Sequence, residues 1–197
     1  MRVLVACEES QAICMAFREL GHDAFSCDVL PCSGGFPEFH LQGDVLDHLD
    51  DGWDLMIAHP PCTYLSNAGA RFLYPKKVLN KDRLALGMEA KVFFMKLLNA
   101  DIPKICVENP LASKIFELPK HSQVIQPYEY GHPFKKRTQL WLKGLPELKA
   151  TDIVDVRESS KVAGNWFNKG GKERQKNRSK TFQGIAEAMA DQWGLSD

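Results

Sequence analysis

The sequence lacks an excess of charge, a long apolar run and a leader-like N-terminus. In 197 residues, 25 Lys and Arg side chains balance 25 Asp and Glu side chains. The global charge therefore gives no sign of a nucleic-acid-binding protein, and such binding must depend on local basic patches. No apolar stretch approaches the roughly 18 residues of a membrane-spanning helix, and the opening MRVLVACEES turns acidic too early for a signal peptide. We expect a cytoplasmic protein with no membrane partner.

Paired cysteines are also missing. None of the six cysteines belongs to a C-x-x-C pair, and no histidine cluster has zinc-ligand spacing. These observations argue against a disulfide framework and against a metal site, and they favour a reduced intracellular protein. The cysteines are Cys7, Cys14, Cys27, Cys32, Cys62 and Cys106.

The sequence does contain an alternation of apolar strands and helices, which predicts an α/β fold. Short β-branched apolar runs predict buried strands, and longer segments with an apolar stripe predict helices. The predicted strands are 2–7, 23–29, 53–59, 104–109 and 138–145, and the predicted helices are 8–22, 181–193 and a strongly amphipathic one at 83–99. This order indicates a doubly wound, mostly parallel sheet, and the chain length suits a single domain, 1–197.

Charged and reactive side chains follow the predicted strands at their carboxyl ends. In an open parallel sheet, ligands bind in the crevice outside these ends, so the residues there are candidate site residues. They are Cys7, Glu8, Glu9 and Ser10 at the end of strand 2–7, Asp28 at the end of 23–29, Gly43-Asp44-Val45 near a further strand, His59-Pro60-Pro61-Cys62 at the end of 53–59, and Glu108-Asn109-Pro110 at the end of 104–109.

Two of these carboxylates have positions suited to binding a nucleotide-like cofactor. Asp28, at the tip of a strand, suits a carboxylate that accepts hydrogen bonds from ribose hydroxyls. The alternative is an Asp that caps a helix or shapes a turn. Asp44 could contact an adenine amino group, or simply shape a turn.

Cys62 and Glu108 are the candidate reactive pair. Cys62 follows two prolines, which stiffen the loop and fix the direction of the thiol. A thiol attacks as its thiolate, which nearby positive charge or a helix N-terminus favours; alternatively, Cys62 is a small buried apolar residue. A buried Glu108 can stay protonated and donate to a ring nitrogen, or it can belong to a structural salt bridge.

The order of several short motifs resembles that of the DNA cytosine-5 methyltransferases. HPPCTYLS resembles their Pro-Cys loop, VENP their Glu-Asn motif, GDV their adenine-contacting turn, YGHPFKKRTQLWLKGLP their Gly-x-Pro segment, and TFQGIAEAMADQWG the closing helix that completes their cofactor pocket. The resemblance covers most of residues 1–145 and 181–194. It implies a sheet of the Rossmann-like methyltransferase type, and compact proteins of this pattern also resemble those encoded by bacteriophages.

The resemblance implies S-adenosylmethionine as cofactor and DNA as partner, in duplex, single-stranded or nucleotide form. It implies that the Cys62 thiolate attacks C6 of cytosine while Glu108 holds N3 and the exocyclic amine, so that C5 can take the methyl group. The implied catalytic residues are Cys62, Glu108 and Lys136; the implied cofactor-binding residues are Cys7, Glu8, Glu9, Ser10, Asp28, Asp44, Pro60, Gln183 and Ile185; the implied DNA-binding residues are Ser66, Asn109, Arg137, Lys172, Arg174 and Arg178.

Several features depart from the family pattern. CEESQA replaces the glycine-rich turn after the first strand, Thr63 follows the candidate nucleophile in place of Gln, and Phe134, Lys136 and Thr138 replace a Gln-x-Arg-x-Arg pattern. In place of a target-recognition domain there is a basic, flexible loop at about 150–180. This loop predicts DNA binding with little sequence specificity; alternatively, it is solvated and binds nothing.

Three functions remain in competition. The first is a cytosine-5 methyltransferase that acts on DNA with little sequence specificity. The second is an amino-methyltransferase, which is disfavoured because His59 and Cys62 flank the Pro-Pro pair, where that class has a polar residue and an aromatic residue. The third is a binding protein that keeps the fold and has lost catalysis; the missing glycines favour it, and the retained Cys62 and Glu108 argue against it.

Overall fold

The computed structural model describes residues 1–156 and 180–195, which form a seven-stranded sheet covered by helices. The strands are β1 (Arg2–Ala6), β2 (Asp23–Asp28), β3 (His40–Gln42), β4 (Leu55–Ala58), β5 (Lys104–Pro110), β6 (Gln123–Ile125) and β7 (Thr138–Lys143). The helices are α1 (Ala12–Glu19), the short α2 (Asn67–Ala70), α3 (Lys81–Leu98) and α4 (Gln183–Trp193). The strand order across the sheet is β3-β2-β1-β4-β5-β7-β6.

Strand β1 shows why both faces of the sheet are buried. Val3 and Val5 belong to the hydrophobic core that α1 and α4 share, whereas Leu4 and Ala6 belong to the core on the α3 side. All four side chains are fully buried. A parallel strand covered on both faces needs an apolar residue at every position rather than at alternate ones, and the run VLVA supplies this.

Strand β7 runs against the direction of its neighbours. The strands from β3 across to β5 are parallel, but β7 pairs antiparallel with β5 on one side and with β6 on the other. Its first residue, Thr138, therefore lies opposite Pro110, the last residue of β5. The segment that precedes β7 consequently reaches the same edge of the sheet as the segment that follows β5.

The long helix α3 is less regularly amphipathic than the sequence predicts. It buries Phe94 and Leu97, but Leu86, Met88 and Val92 are exposed. Met88 and Val92 line an open groove together with Leu46 and Leu49, which lie in the segment that follows β3. None of the helices in residues 1–156 and 180–195 is long and apolar enough to span a membrane.

The predicted α/β class, with a mostly parallel sheet, is confirmed. Three elements differ from the predicted ranges, and one of them is strand β3, which was expected before Gly43-Asp44-Val45 but given no range. The first helix begins at Ala12 rather than at residue 8, because Gln11 has a left-handed backbone with φ of 60°. Strand β6 was not predicted. It has three residues and gains its strand character by pairing with β7, from Gln123 opposite Leu140 to Ile125 opposite Thr138.

Candidate active site

The carboxyl ends of four parallel strands stand side by side. Ala6 of β1 pairs with Cys27 of β2 and with Ala58 of β4, and Ala58 pairs with Val107 of β5. The residues that come next along each strand or just beyond it are Cys7, Asp28, His59 and Glu108. The structure therefore brings the predicted site residues of these strands to one edge of the sheet.

The turn after β1 has a glycine-like backbone without any glycine. Cys7 and Gln11 have φ of 59° and 60°, in the left-handed region that costs a non-glycine residue roughly 1–2 kcal/mol. Main-chain hydrogen bonds hold the turn: the N–H of Glu8 donates to the carbonyl oxygen of Cys27 at 3.1 Å, and the N–H of Met15 to that of Gln11 at 2.9 Å. Replacing the glycine-rich pattern has therefore not removed the sharp turn.

Glu8 closes the N-terminus of α1 with a buried carboxylate. Its side chain is 5% exposed; Oε1 accepts from the N–H of Ile13 at 2.8 Å and Oε2 from the N–H of Cys14 at 3.2 Å. These are helix N–H groups that have no partner within the helix. Burial raises the pKa of Glu8, although His59 and the two N–H donors act in the opposite direction. Glu8, which was predicted to contact the cofactor, thus caps the N-terminus of α1.

Gln11 ties the loop after β2 to this turn. Its Nε2 donates to the carbonyl oxygen of Phe36 at 2.8 Å, and its Oε1 accepts from the N–H of Phe36 at 3.1 Å and from the Cys32 thiol at 3.0 Å. These contacts of Gln11 could not be predicted from the sequence, because a glutamine that binds residues more than twenty positions away leaves no local sequence pattern.

The main chain of Glu9 and Ser10 also contacts the loop after β2. The carbonyl oxygen of Glu9 accepts from the N–H of Ser33 at 2.8 Å. A Cβ on Gly34 would lie 2.5 Å from the carbonyl oxygen of Ser10, so only glycine permits this approach. The side chains of Glu9 and Ser10 are partly exposed at the turn.

Asp28 and Asp44 form an acidic edge beside Cys7. Asp28 accepts from the N–H of Leu30 at 2.8 Å, and Asp44 from the N–H of Leu46 at 3.0 Å, so both carboxylates also shape turns. Burial, together with the charges of Asp28 and Asp44, raises the pKa of the Cys7 thiol. Asp28 is half-buried and Asp44 is exposed, and a carboxylate has lone pairs for more than one donor. The edge can therefore also accept hydrogen bonds from a ligand.

The loop that carries Cys62 is joined to the segment after β5. The N–H of Ser66 donates to the carbonyl oxygen of Cys62 at 3.0 Å, and the N–H of Ser113 to that of Leu65 at 2.7 Å. Ser66 and Ala112 form an antiparallel bridge. Because these bonds connect the segments after β4 and β5, the half-buried Cys62 is held on the same side of the sheet as Glu108.

Arg83, at the start of α3, fastens the outer side of this loop. Its Nη2 donates to the carbonyl oxygens of Thr63 and Gly69, each at 3.1 Å. The guanidinium carbon lies 4.9 Å from the ring centre of Tyr64 and 5.2 Å from that of Phe72. A planar guanidinium can donate in its plane and stack on rings at the same time. Arg83 therefore fixes the segment that follows Cys62, a role that the sequence analysis missed.

A buried ion pair links the ends of β4 and β5. Nδ1 of His59 lies 3.0 Å from Oε2 of Glu108, and each side chain is 13% exposed. Burial by itself would lower the pKa of His59, but the Glu108 carboxylate outweighs it and, with Glu8, raises the pKa above its ordinary value. Burial would raise the pKa of Glu108, but His59, and then Lys136, lower it. Glu108 thus belongs to an ion pair, one of the two alternatives that the sequence left open, and its lowered pKa favours the ionised form. Pro60, which follows His59, is buried.

Asn109 presents a buried acceptor at this edge. The side chain is fully buried, and its Nδ2 donates to the carbonyl oxygen of Pro110 at 2.6 Å. Its Oδ1 is buried and has no hydrogen-bond partner in the described part of the chain. An unsatisfied buried acceptor costs about 1–3 kcal/mol, which a donor from a ligand would relieve. Ser66 differs, because its Oγ already accepts from the N–H of Gly69 at 3.3 Å.

Lys136 lies in the segment before β7, near enough to the ion pair for its charge to act on it. This charge lowers the pKa of both Glu108 and His59. Its Nζ also lies 5.8 Å from the ring centre of Phe182. The neighbouring Arg137 is exposed. The predicted catalytic residues Cys62, Glu108 and Lys136 therefore lie on one edge of the sheet.

The two predicted cofactor residues of α4 have different surroundings. Ile185 is 4% exposed and packs in the core that α1 and α4 share, so the structure assigns its side chain to packing. Gln183 is exposed, and its Nε2 donates to Oε1 of Glu187 at 3.1 Å. Between them, the N–H of Gly184 donates to Nε2 of His132 at 3.0 Å, which ties the helix to the segment before β7.

The predicted DNA contacts of the basic loop, Lys172, Arg174 and Arg178, lie outside the described residues. Within residues 1–156 and 180–195, no group of three or more His, Cys, Asp or Glu side chains is placed to hold a metal ion.

Comparison with known proteins supports the fold. The chain matches no protein-family model and no curated protein sequence. It is similar in structure to the methyltransferase EhMeth of Entamoeba histolytica, with 13% identity and a TM-score of 0.51 over 87% of this chain and 61% of that one. A candidate DNA modification methyltransferase encoded within an E. coli prophage aligns with 13% identity and a TM-score of 0.47, over 87% of this chain and 56% of that one. The chain thus has the mixed α/β architecture of a methyltransferase fold and spans less than two thirds of these neighbours.

Proposed function

We propose that the chain is an S-adenosylmethionine-dependent methyltransferase that acts on C5 of cytosine in DNA with little sequence specificity. The observation that carries the proposal is the main-chain joining of the Cys62 loop to the segment after β5, because Glu108 lies in β5 and Lys136 lies just before its neighbour β7. A thiol, an acid–base group and a cation on one edge are the groups that covalent attack on a heteroaromatic ring requires. The methyltransferase fold of EhMeth supports the reaction class.

The residues of the acidic edge fit S-adenosylmethionine. Asp28 and Asp44 lie close enough together for both charges to act on Cys7, and both offer acceptor oxygens at the carboxyl ends of the parallel strands. Asp28 would accept from the ribose hydroxyls and Asp44 from the adenine amino group. When bound, the cofactor supplies an electrophilic methyl group.

Each reacting side chain has one task in this mechanism. The Cys62 sulfur forms a bond to C6 of cytosine, and electron density moves through the ring toward N3. Glu108 gives a proton to N3 and accepts from the exocyclic amine, while Lys136 provides positive charge beside it. After C5 has been methylated, a base removes the C5 proton and the Cys62 sulfur leaves. In duplex DNA, the base must first leave the stack, at a cost of about a few kcal/mol.

The test is methyl transfer from labelled S-adenosylmethionine to unmethylated DNA, followed by mass spectrometry of the nucleosides. Cys62→Ala is compared with Cys32→Ser, a matched change of a half-buried cysteine that keeps a donor for Gln11. We expect 5-methylcytosine from the wild type and from Cys32→Ser, and none from Cys62→Ala, which still binds the cofactor by calorimetry.

Other outcomes would support the competing functions. An N-methylated base would identify an amino-methyltransferase. Absence of cofactor binding in the wild type would indicate a binding protein with this fold. Full activity of Cys62→Ala would exclude the covalent mechanism while leaving the methyltransferase class intact.

A further inference from the structure

The buried side chain of His59 is paired with the Glu108 carboxylate. Nδ1 of His59 is 3.0 Å from the Glu108 carboxylate. The other ring nitrogen, Nε2, is buried and has no hydrogen-bond partner among the described residues. The ring is thus paired on one side and closed off on the other, so Glu108 is the group with which it can exchange a proton.

We propose that His59 supplies the proton that Glu108 passes to N3 of the target cytosine, and that His59 takes this proton back within the same turnover. The inference rests on the proposed function. His59 does not touch the base in this scheme; it acts through Glu108.

Glu108 needs a proton from another group because its carboxyl group is ionised before the reaction. His59 and Lys136 hold the pKa of Glu108 below its ordinary value, and an ionised carboxylate only accepts hydrogen bonds. It cannot protonate N3 when Cys62 attacks. A protonated His59 holds a proton on Nδ1, which lies at hydrogen-bond distance from the Glu108 carboxylate.

The N3 proton is borrowed and returned within one turnover, while the C5 proton leaves separately to a base. As the Cys62 sulfur bonds to C6, the C5–C6 π pair moves to C4–C5 and the C4–N3 π pair moves to N3. N3 takes a proton from Glu108, which receives one from Nδ1 of His59, leaving a neutral imidazole. The C4–C5 π pair then forms the bond from C5 to the methyl carbon, whose former bonding pair would stay on the cofactor sulfur, and the pair on N3 returns to C4–N3. N3 then releases its proton to Glu108, and His59 recovers it.

The charged groups around His59 come from three elements and explain its readiness to hold a proton. Glu8, from the turn after β1, and Glu108, from β5, both favour the protonated ring, whereas Lys136, from the segment before β7, opposes it. The two carboxylates together have a larger effect than burial and Lys136, so the pKa of His59 lies above its ordinary value. Loss of the proton at alkaline pH should therefore slow the reaction.

The first test measures the rate of 5-methylcytosine formation against pH for the wild type and for His59→Asn. Asn places an N–H near the position of Nδ1 but carries no titrating proton. His48→Asn is the control, because His48 makes a similar 3.0 Å pair with Asp51 on the surface. We expect His59→Asn to be slower by about 100-fold at pH 8, with the deficit shrinking in acid, where water can protonate Glu108. A deficit that is constant across pH would overturn the relay.

The second test does not depend on activity. The ring signals of His59, assigned by their loss in His59→Asn, are followed by NMR against pH in the wild type and in Glu108→Gln. We expect the titration of His59 to move to lower pH in Glu108→Gln; an unchanged titration would overturn the coupling. A wild type that forms no 5-methylcytosine would contradict the proposed function and with it the transfer to N3, while the NMR result would still decide whether His59 and Glu108 share a proton.

Discussion

The turn after β1 and the loop after β4 lie at the same edge of the sheet but are built in opposite ways. The loop after β4 has the sequence Pro60-Pro61-Cys62, and main-chain bonds join it to the segment after β5. The turn after β1 contains no glycine, and the side chains of Glu8 and Gln11 hold it in place. A backbone shape can therefore be kept by different residues, whereas an attacking atom needs one particular side chain.

The largest effect should come from crowding the loop after β4. A Cβ on Gly69 would lie 1.9 Å from the carbonyl oxygen of Thr63, the residue after Cys62. Because main chain must move, we expect Gly69→Ala to slow methyl transfer by about 100-fold, as a misplacement of roughly 1 Å can do. Asp101→Ala is the control, since Asp101 is exposed in the segment before β5, away from the candidate site residues. Equal rates for the two variants would contradict the tight packing of this loop.

A substitution in the turn after β1 should lower the stability of the fold. Glu8→Gln removes one of the two buried acceptors that cap α1, at a cost of about 1–3 kcal/mol. For a chain of this length, we expect the melting temperature to fall by roughly 2–4 °C per kcal/mol. Glu19→Gln, at the exposed end of α1, should leave it unchanged. Thermal unfolding monitored by circular dichroism measures both, and a stable Glu8→Gln would argue that the cap contributes little.

Arg83 tests whether the loop after β4 also depends on one side chain. Lysine keeps the charge but not the planar guanidinium that reaches two carbonyl oxygens and two rings. We expect Arg83→Lys to reduce methyl transfer by about tenfold, equivalent to about one lost hydrogen bond, with little change in melting temperature. Steady-state kinetics together with a melting curve separate this result from general destabilisation, which would lower both.

The smallest effect concerns the pH dependence of stability. Glu108 has a lowered pKa, so its contribution is present above the unfolded value of about 4.3 and is lost as pH falls. His59 has a raised pKa, so its contribution is present below about 6.5 and is lost as pH rises through the folded value. Denaturant unfolding should therefore show that Glu108→Gln lowers the free energy of unfolding most near pH 5–6 and less at lower and at higher pH. A deficit that grows steadily toward pH 9 would contradict this.

The sequence predicts the strands and the residues at their ends, but it does not predict the side-chain contacts that hold the loops. The strands and the residues at their carboxyl ends could be predicted, because burial on both faces demands apolar runs such as VLVA and a parallel sheet aligns the ends. The contacts of Glu8, Gln11 and Arg83 could not, because each depends on where a side chain meets another segment in space. His59 was visible at a strand end, but its partner Glu108 became evident only through the strand pairing.

The shared core of α1 and α4 has a consequence for how the chain opens. These helices begin at residues 12 and 183, so their docking closes a loop of most of the chain. The entropy of such a closure grows only slowly with loop length, but contacts so distant in sequence form late and slow the search for the native state. Once formed, they should protect amide hydrogens at the two ends of the chain as a single cooperative unit.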